Sequence, residues 1–221
     1  SGRSGLSTVT FDLTDSSSNL FSGNAVSDTS VLSAAANVSI TGTTNATQAT
    51  AVNTARGDLN EVTFAVLSDT AANLGTNGAV VNAALGQATA VSTTAAGSTA
   101  AQLNYMDANA ASGVEVDATA ATGVDGAIAD VLTATADTSG AINVDTNYTS
   151  TVSGDQASTL SSLNTLMGRT TGNITATIGS GTAAAIDTAL SNGSATDALT
   201  ITTGSTTTTA TVINSLDGKT S

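Results

Sequence analysis

The residues best suited to chemistry are oxygen donors on two short alternating segments. Residues 114–119 read V-E-V-D-A-T and residues 142–148 read I-N-V-D-T-N-Y. Apolar and polar residues alternate, the period-two pattern of a strand with one wet face. Glu115, Asp117 and Thr119 then share the outer face of one strand, and Asn143, Asp145 and Asn147 that of another. Stacked strands lie about 4.8 Å apart, so these oxygens would form a compact acidic patch. Calcium takes carboxylate and amide oxygens. Glu115, Asp117, Asn143 and Asp145 are therefore the candidate metal ligands, with calcium the ion implied and no other cofactor indicated. The plainer reading is a solvated face that keeps sheets from associating. Neither an EF-hand loop nor the glycine-aspartate nonapeptide of calcium-binding β-rolls is present.

Other chemistries lack their residues. The 221 residues include no Cys, His, Pro or Trp. Without Cys there is no disulfide, thiolate metal site or cysteine nucleophile. Without His, a Ser-His-Asp triad and an ordinary zinc site are excluded. No phosphate-binding glycine loop occurs, and no Asp or Glu pair sits in an apolar context that would raise a pKa. The sequence reading is thus of a protein that is not an enzyme. The net charge is -13, with Arg3, Arg56, Arg169 and Lys219 the only cations, which argues against nucleic acid and anionic membranes as partners. No apolar run approaches the roughly 20 residues of a membrane span. Tripeptides of the N-x-S/T type begin at Asn37, Asn45, Asn147, Asn173 and Asn192, as a chain this rich in Asn, Ser and Thr produces without selection.

The elements that position these residues recur. Strands are expected at 9–13, 38–41, 62–66, 88–94, 114–119, 142–148, 174–178 and 199–202. Between them lie stretches with helical spacing: 20–36, 44–55, 70–87, a helix capped by Ser98, 124–136, a helix capped by Asp155, 182–190 and 206–216. Gly57 is placed as a helix stop. The strand starts give a period of about 27 residues, the longest step being the 32 from Ile142 to Ile174. Four helices carry an apolar residue followed by Asn or Asp: Leu103-Asn104, Leu163-Asn164, Ile186-Asp187 and Ile213-Asn214.

Repeats of this length mean stacked units, and alternation of strand with helix means parallel pairing through helical crossovers. A doubly wound sheet buries both strand faces. These strands keep Thr, Asp, Glu and Asn between their aliphatics, including Thr10, Thr41, Thr63, Thr175, Thr177, Thr200 and Thr202. The expected fold class is therefore α/β: a one-sided α/β solenoid of about eight strand-helix repeats, with a parallel sheet on one flank and short helices on the other. Residues 1–221 read as a single repeat domain without evident terminal caps, which solenoids need for solubility. The outward Thr array also allows an ice-ordering surface, although Thr is abundant throughout.

The segment A-A-Q-L-N-Y-M-D-A-N-A-A-S-G-V-E-V-D-A-T-A-A-T-G resembles repeats of very large bacterial cell-surface proteins, notably those of marine cyanobacteria. The likeness is clearest from Ser98 to Ser221 and rests on repeat style. It implies an extracellular structural or adhesive role: part of an adhesin, a surface layer or a filament. The expected partners are copies stacked end to end, or neighbouring repeats of the same long chain. The alternative is a binding module that uses the exposed sheet for calcium, glycan or ice.

Overall fold

A computed structural model describes residues 10–76, 78–94, 97–136, 141–204 and 207–221. Arg3, Val9, Gly140 and Thr206 lie outside the described residues. In chain order the elements are β1 (Leu13–Ser16), α1 (Ser17–Leu20), β2 (Phe21–Ser22), β3 (Ala25–Val26), α2 (Thr29–Ala34), β4 (Val38–Thr44), α3 (Ala46–Arg56), β5 (Val62–Asp69), α4 (Ala71–Leu74), α5 (Ala79–Gly86), β6 (Val91–Thr93), β7 (Ser98–Thr99), α6 (Ala100–Asn109), β8 (Val116–Ala118), β9 (Val124–Asp125), α7 (Ile128–Ala134), β10 (Ile142–Val144), β11 (Ser150–Asp155), α8 (Leu160–Met167), β12 (Ile174–Ile178), α9 (Ala183–Ala189), β13 (Ala198–Ile201) and α10 (Ala210–Asp217).

The fold is mixed α/β. Six strands form a parallel sheet in the order β1-β4-β5-β6-β8-β10, and three more form a parallel sheet β11-β12-β13. A short parallel pair, β7-β9, continues into β11 through bridges at Gly123↔Thr149 and Gly126↔Val152. Only the hairpin β2-β3 is antiparallel among the named strands. Register partners are 25 residues apart at Leu13↔Val38, 24 at Val38↔Val62, 25 at Val91↔Val116, 26 at Val116↔Ile142, 24 at Ser150↔Ile174 and 22 at Asp155↔Thr177. The helices follow the same order: α2 packs on α3, α3 on α5, α5 on α6, and so on to α9 on α10.

Side-chain alternation follows the expected pattern. Val62, Phe64, Ile174, Ala176 and Ile178 are buried, while Thr63, Thr175 and Thr177 between them are exposed. The buried apolar residues form one continuous cluster from Phe21 to Leu216. Helix starts are set by local capping. Asn45 and Gln48 form a reciprocal box at α3, and Thr99 and Gln102 form another at α6, each satisfying two backbone N–H groups that have no partner within the helix. Gly57 closes α3 at φ 92°, as expected from its position.

Several boundaries differ from the sequence reading. The stretch 20–36 is broken by the β2-β3 hairpin, and 70–87 divides into α4 and α5. Thr99, not Ser98, caps α6. Val124 belongs to β9 rather than a helix, because Gly126 at φ 151° interrupts the helical path. The first strand begins at Leu13, and the strands expected at 114–119 and 142–148 shorten to Val116–Ala118 and Ile142–Val144. Asp155 ends a strand instead of capping a helix: its Oδ1 accepts from the N–H groups of Ala157 (2.9 Å) and Gly179 (2.6 Å). The 32-residue step from Ile142 to Ile174 is not a pairing step. Ile174 pairs with Ser150 in β11, a strand with only one aliphatic residue and so without a period-two signal.

Successive helices are tied together by side chains that reach the last turn of a neighbouring helix. Arg56 Nη1 donates to the carbonyls of Leu32 and Ala35 at the end of α2 (3.1 and 2.8 Å). Arg169 Nη1 donates to Leu132 O of α7 (2.6 Å) and Thr135 Oγ1 (3.3 Å). Lys219 Nζ pairs with Asp187 Oδ1 of α9 (2.7 Å). Each described cation therefore sits at the carbonyl end of the preceding helix in its column, where unpaired C=O groups and the helix dipole favour positive charge.

Candidate functional site

The strands β8 and β10 place the acidic patch. Their register pairs Asp117 with Asn143 on the exposed face, flanked by the inward pairs Val116↔Ile142 and Ala118↔Val144. Glu115 stands just before β8 and Asp145 just after β10, both exposed. The structure thus brings Asp117 and Asn143 side by side. The Asp117 carboxylate is already engaged: Oδ1 accepts from Thr119 Oγ1 (2.6 Å) and Thr119 N (3.1 Å), closing the end of its own strand. Among the described residues, no group of three or more acidic side chains is placed to hold a metal ion.

A cleft of about 350 Å³ opens beside this patch, lined by Thr135, Asn143, Asp145, Thr146, Tyr148 and Arg169 among others. It has a topological cause. Among the described residues the outer edge of β10 has no strand partner, because β12 pairs with β11 instead. Tyr148 fills the base of this seam and is 1% exposed. Arg169 spans it to reach α7, and Thr171 N donates to Thr146 O (2.8 Å). Burial pushes the Tyr148 phenol up from its ordinary value, against opposing pulls from Thr135 and the Arg169 charge. The phenol therefore stays protonated at neutral pH, and the guanidinium is committed to backbone and hydroxyl acceptors.

Sequence reasoning missed Tyr148 and Arg169 as partners in one seam, since their meeting depends on the change of sheet at β11. It did register Asn104, Asn164 and Asp187, whose roles emerge only from the packing. Asn104 Nδ2 donates to Asp130 O in α7 (3.0 Å), Asn164 Oδ1 accepts from Asn192 N (2.8 Å), and Asp187 Oδ1 accepts from Ser215 Oγ in α10 (2.6 Å). No described helix is long and apolar enough to cross a membrane. The chain matches no family model, no curated protein and no solved structure.

Proposed function

We propose that this chain is a repeat segment of an extracellular structural protein, of the kind that builds adhesins, surface layers or filaments. In this reading residues 1–221 form one α/β solenoid, its parallel strands on one flank and its helices on the other, and the stack continues end to end with further copies or repeats. The observation that carries the proposal is the register: consecutive units pair in chain order, in parallel, at steps of 22 to 26 residues. Stability in such a stack is a sum of unit and nearest-neighbour terms, and here the neighbour terms include the cation and amide ties across units. The wet face of Thr, Asn and Asp, the net charge of -13 and the absence of Cys suit a surface that stays solvated outside the cell. The likeness of residues 98–221 to repeats of large bacterial cell-surface proteins points the same way.

Electron microscopy of the purified chain tests this reading. Eight stacked strand levels at about 4.8 Å predict fibres with an axial rise of roughly 38 Å per chain. Monodisperse particles at high concentration would overturn end-to-end stacking.

A further inference from the structure

We propose that the cleft between β10 and Arg169 binds one unit of a neutral sugar. Such a site would exist whether or not copies stack end to end.

The cleft combines a fixed floor with free polar groups. Its volume of about 350 Å³ lies at the small end of the range for ligand pockets, which suits a single monosaccharide. Tyr148 is 1% exposed, and its hydroxyl has no hydrogen-bond partner among the described residues. Buried polar groups are normally paired, so a lining hydroxyl left open marks where a ligand oxygen would complete the set. The backbone around Tyr148 is pinned. Thr170 Oγ1 donates to Tyr148 O (2.5 Å) and Thr171 N donates to Thr146 O (2.8 Å). Gly172 packs so close that a Cβ there would collide with Tyr148 O. The phenol is thus held in place before a ligand arrives, which lowers the ordering cost of binding.

The other lining groups set the class of ligand. Arg169 uses Nη1 for its contacts with α7 and Thr135, while Nη2 and Nε make no hydrogen bond among the described residues. Asn143, Asp145 and Thr146 are exposed, and among the described residues their side chains have no hydrogen-bond partner. A guanidinium alone would select an anion, and a carboxylate alone a cation. Here both line one small space together with a phenol, an amide and a hydroxyl, so a ligand charged with either sign meets a repelling group. Each sugar hydroxyl donates one hydrogen bond and accepts others. It can give to Asp145 and take from Arg169, Tyr148 or Asn143. Ile142 and Val144 add apolar lining for the C–H face of a pyranose. A free amino acid is the rival that carries both charges, but it leaves Tyr148, Asn143 and Thr146 without a role.

NMR titration of the isotope-labelled 221-residue chain with the methyl glycosides of glucose, galactose and mannose tests the site, with free glycine as the zwitterion control. At least one glycoside should shift the amides of residues 143–148 and 169 saturably, with a Kd of about 1–10 mM. Tyr148→Phe should weaken that binding about threefold to tenfold, the effect of one neutral hydrogen bond. Its melting temperature should stay at or above that of the wild type, because the lost hydroxyl had no partner, and a purely structural role would not give that combination. Asn143→Ala, at an exposed position, should weaken binding similarly and serves as the readout if Tyr148→Phe melts early. No saturable shift from any of the three glycosides at about 100 mM, well above that Kd range, overturns the proposal. Saturation by glycine and by none of the glycosides overturns the sugar assignment. Glycoside binding that both variants leave unchanged overturns the cleft as its site.

Discussion

Arg56 donates from Nη1 to the carbonyl oxygen of Ala35 at 2.8 Å, joining the end of one helix to the end of the helix before it, 21 positions earlier in the chain. The same nitrogen reaches Leu32 O, and Nη2 lies 3.4 Å from Ala36 O. A planar fork with several fixed donors suits a cluster of carbonyls better than a point charge does. Arg56→Met should lower stability by about 2 kcal/mol, in the range for hydrogen bonds to a charged group. Arg56→Lys should recover only part of that loss. Urea denaturation followed by circular dichroism reads both values, with an unchanged m-value showing that compactness is kept.

Thr44 carries the opposite prediction. Its side chain points inward at the end of β4, fully buried, and its hydroxyl has no hydrogen-bond partner among the described residues. An unpaired buried hydroxyl costs about 1–3 kcal/mol, and valine has nearly the same shape. Thr44→Val should therefore stabilise the protein by about 1 kcal/mol. Thr43, exposed on the same strand, provides the control: Thr43→Val should leave the midpoint almost unchanged.

The contrast between β12 and β11 shows what was legible. In β12, Ile174, Ala176 and Ile178 alternate with two threonines, and that pattern alone marks both the strand and its wet face. In β11, the inward position opposite Ile174 is Ser150, buried because its Oγ donates to Val124 O at 2.6 Å. A hydroxyl satisfied by a residue 26 positions away leaves no local trace. The outward placement of Glu115, Asp117, Asn143 and Asp145 was legible for the same reason as β12. The cleft at Tyr148 was not, since it lies where the six-stranded sheet ends at β10 and the three-stranded sheet begins at β11. Likewise, Asn104 and Asp187 stood out by spacing, but their bonds to the following helix needed the packing to appear.

Acid should destabilise the fold in a defined window. Hydrogen bonds from Gly179 N and then Ala157 N hold the Asp155 carboxyl below its ordinary value. The Lys219 and Ser215 hydrogen bonds do the same for Asp187, and Ser30 Oγ and Val31 N for Asp28. A carboxyl whose folded pKa is depressed contributes stability above its unfolded value, about 3.9, and loses it as pH falls through the folded value. The melting temperature should be flat above about pH 5 and fall below about pH 4. Asp187→Asn should shrink that fall without changing its sign, read from thermal melts at stepped pH.

Calcium is the sharpest test of the acidic patch. Asp117 and Asn143 are neighbours by register, but Asp117 Oδ1 is bound by Thr119 N and Oγ1. Capturing a cation would mean giving up those bonds and drawing Glu115 and Asp145 inward from exposed positions at the strand ends. Calcium sites need six to eight oxygens held near 2.4 Å, and a flat sheet face supplies them on one side only. Calorimetric titration with calcium should show no saturable heat, and the melting temperature should not move. A saturable signal abolished by Asp117→Asn together with Asp145→Asn would show that the exposed sheet binds the ion.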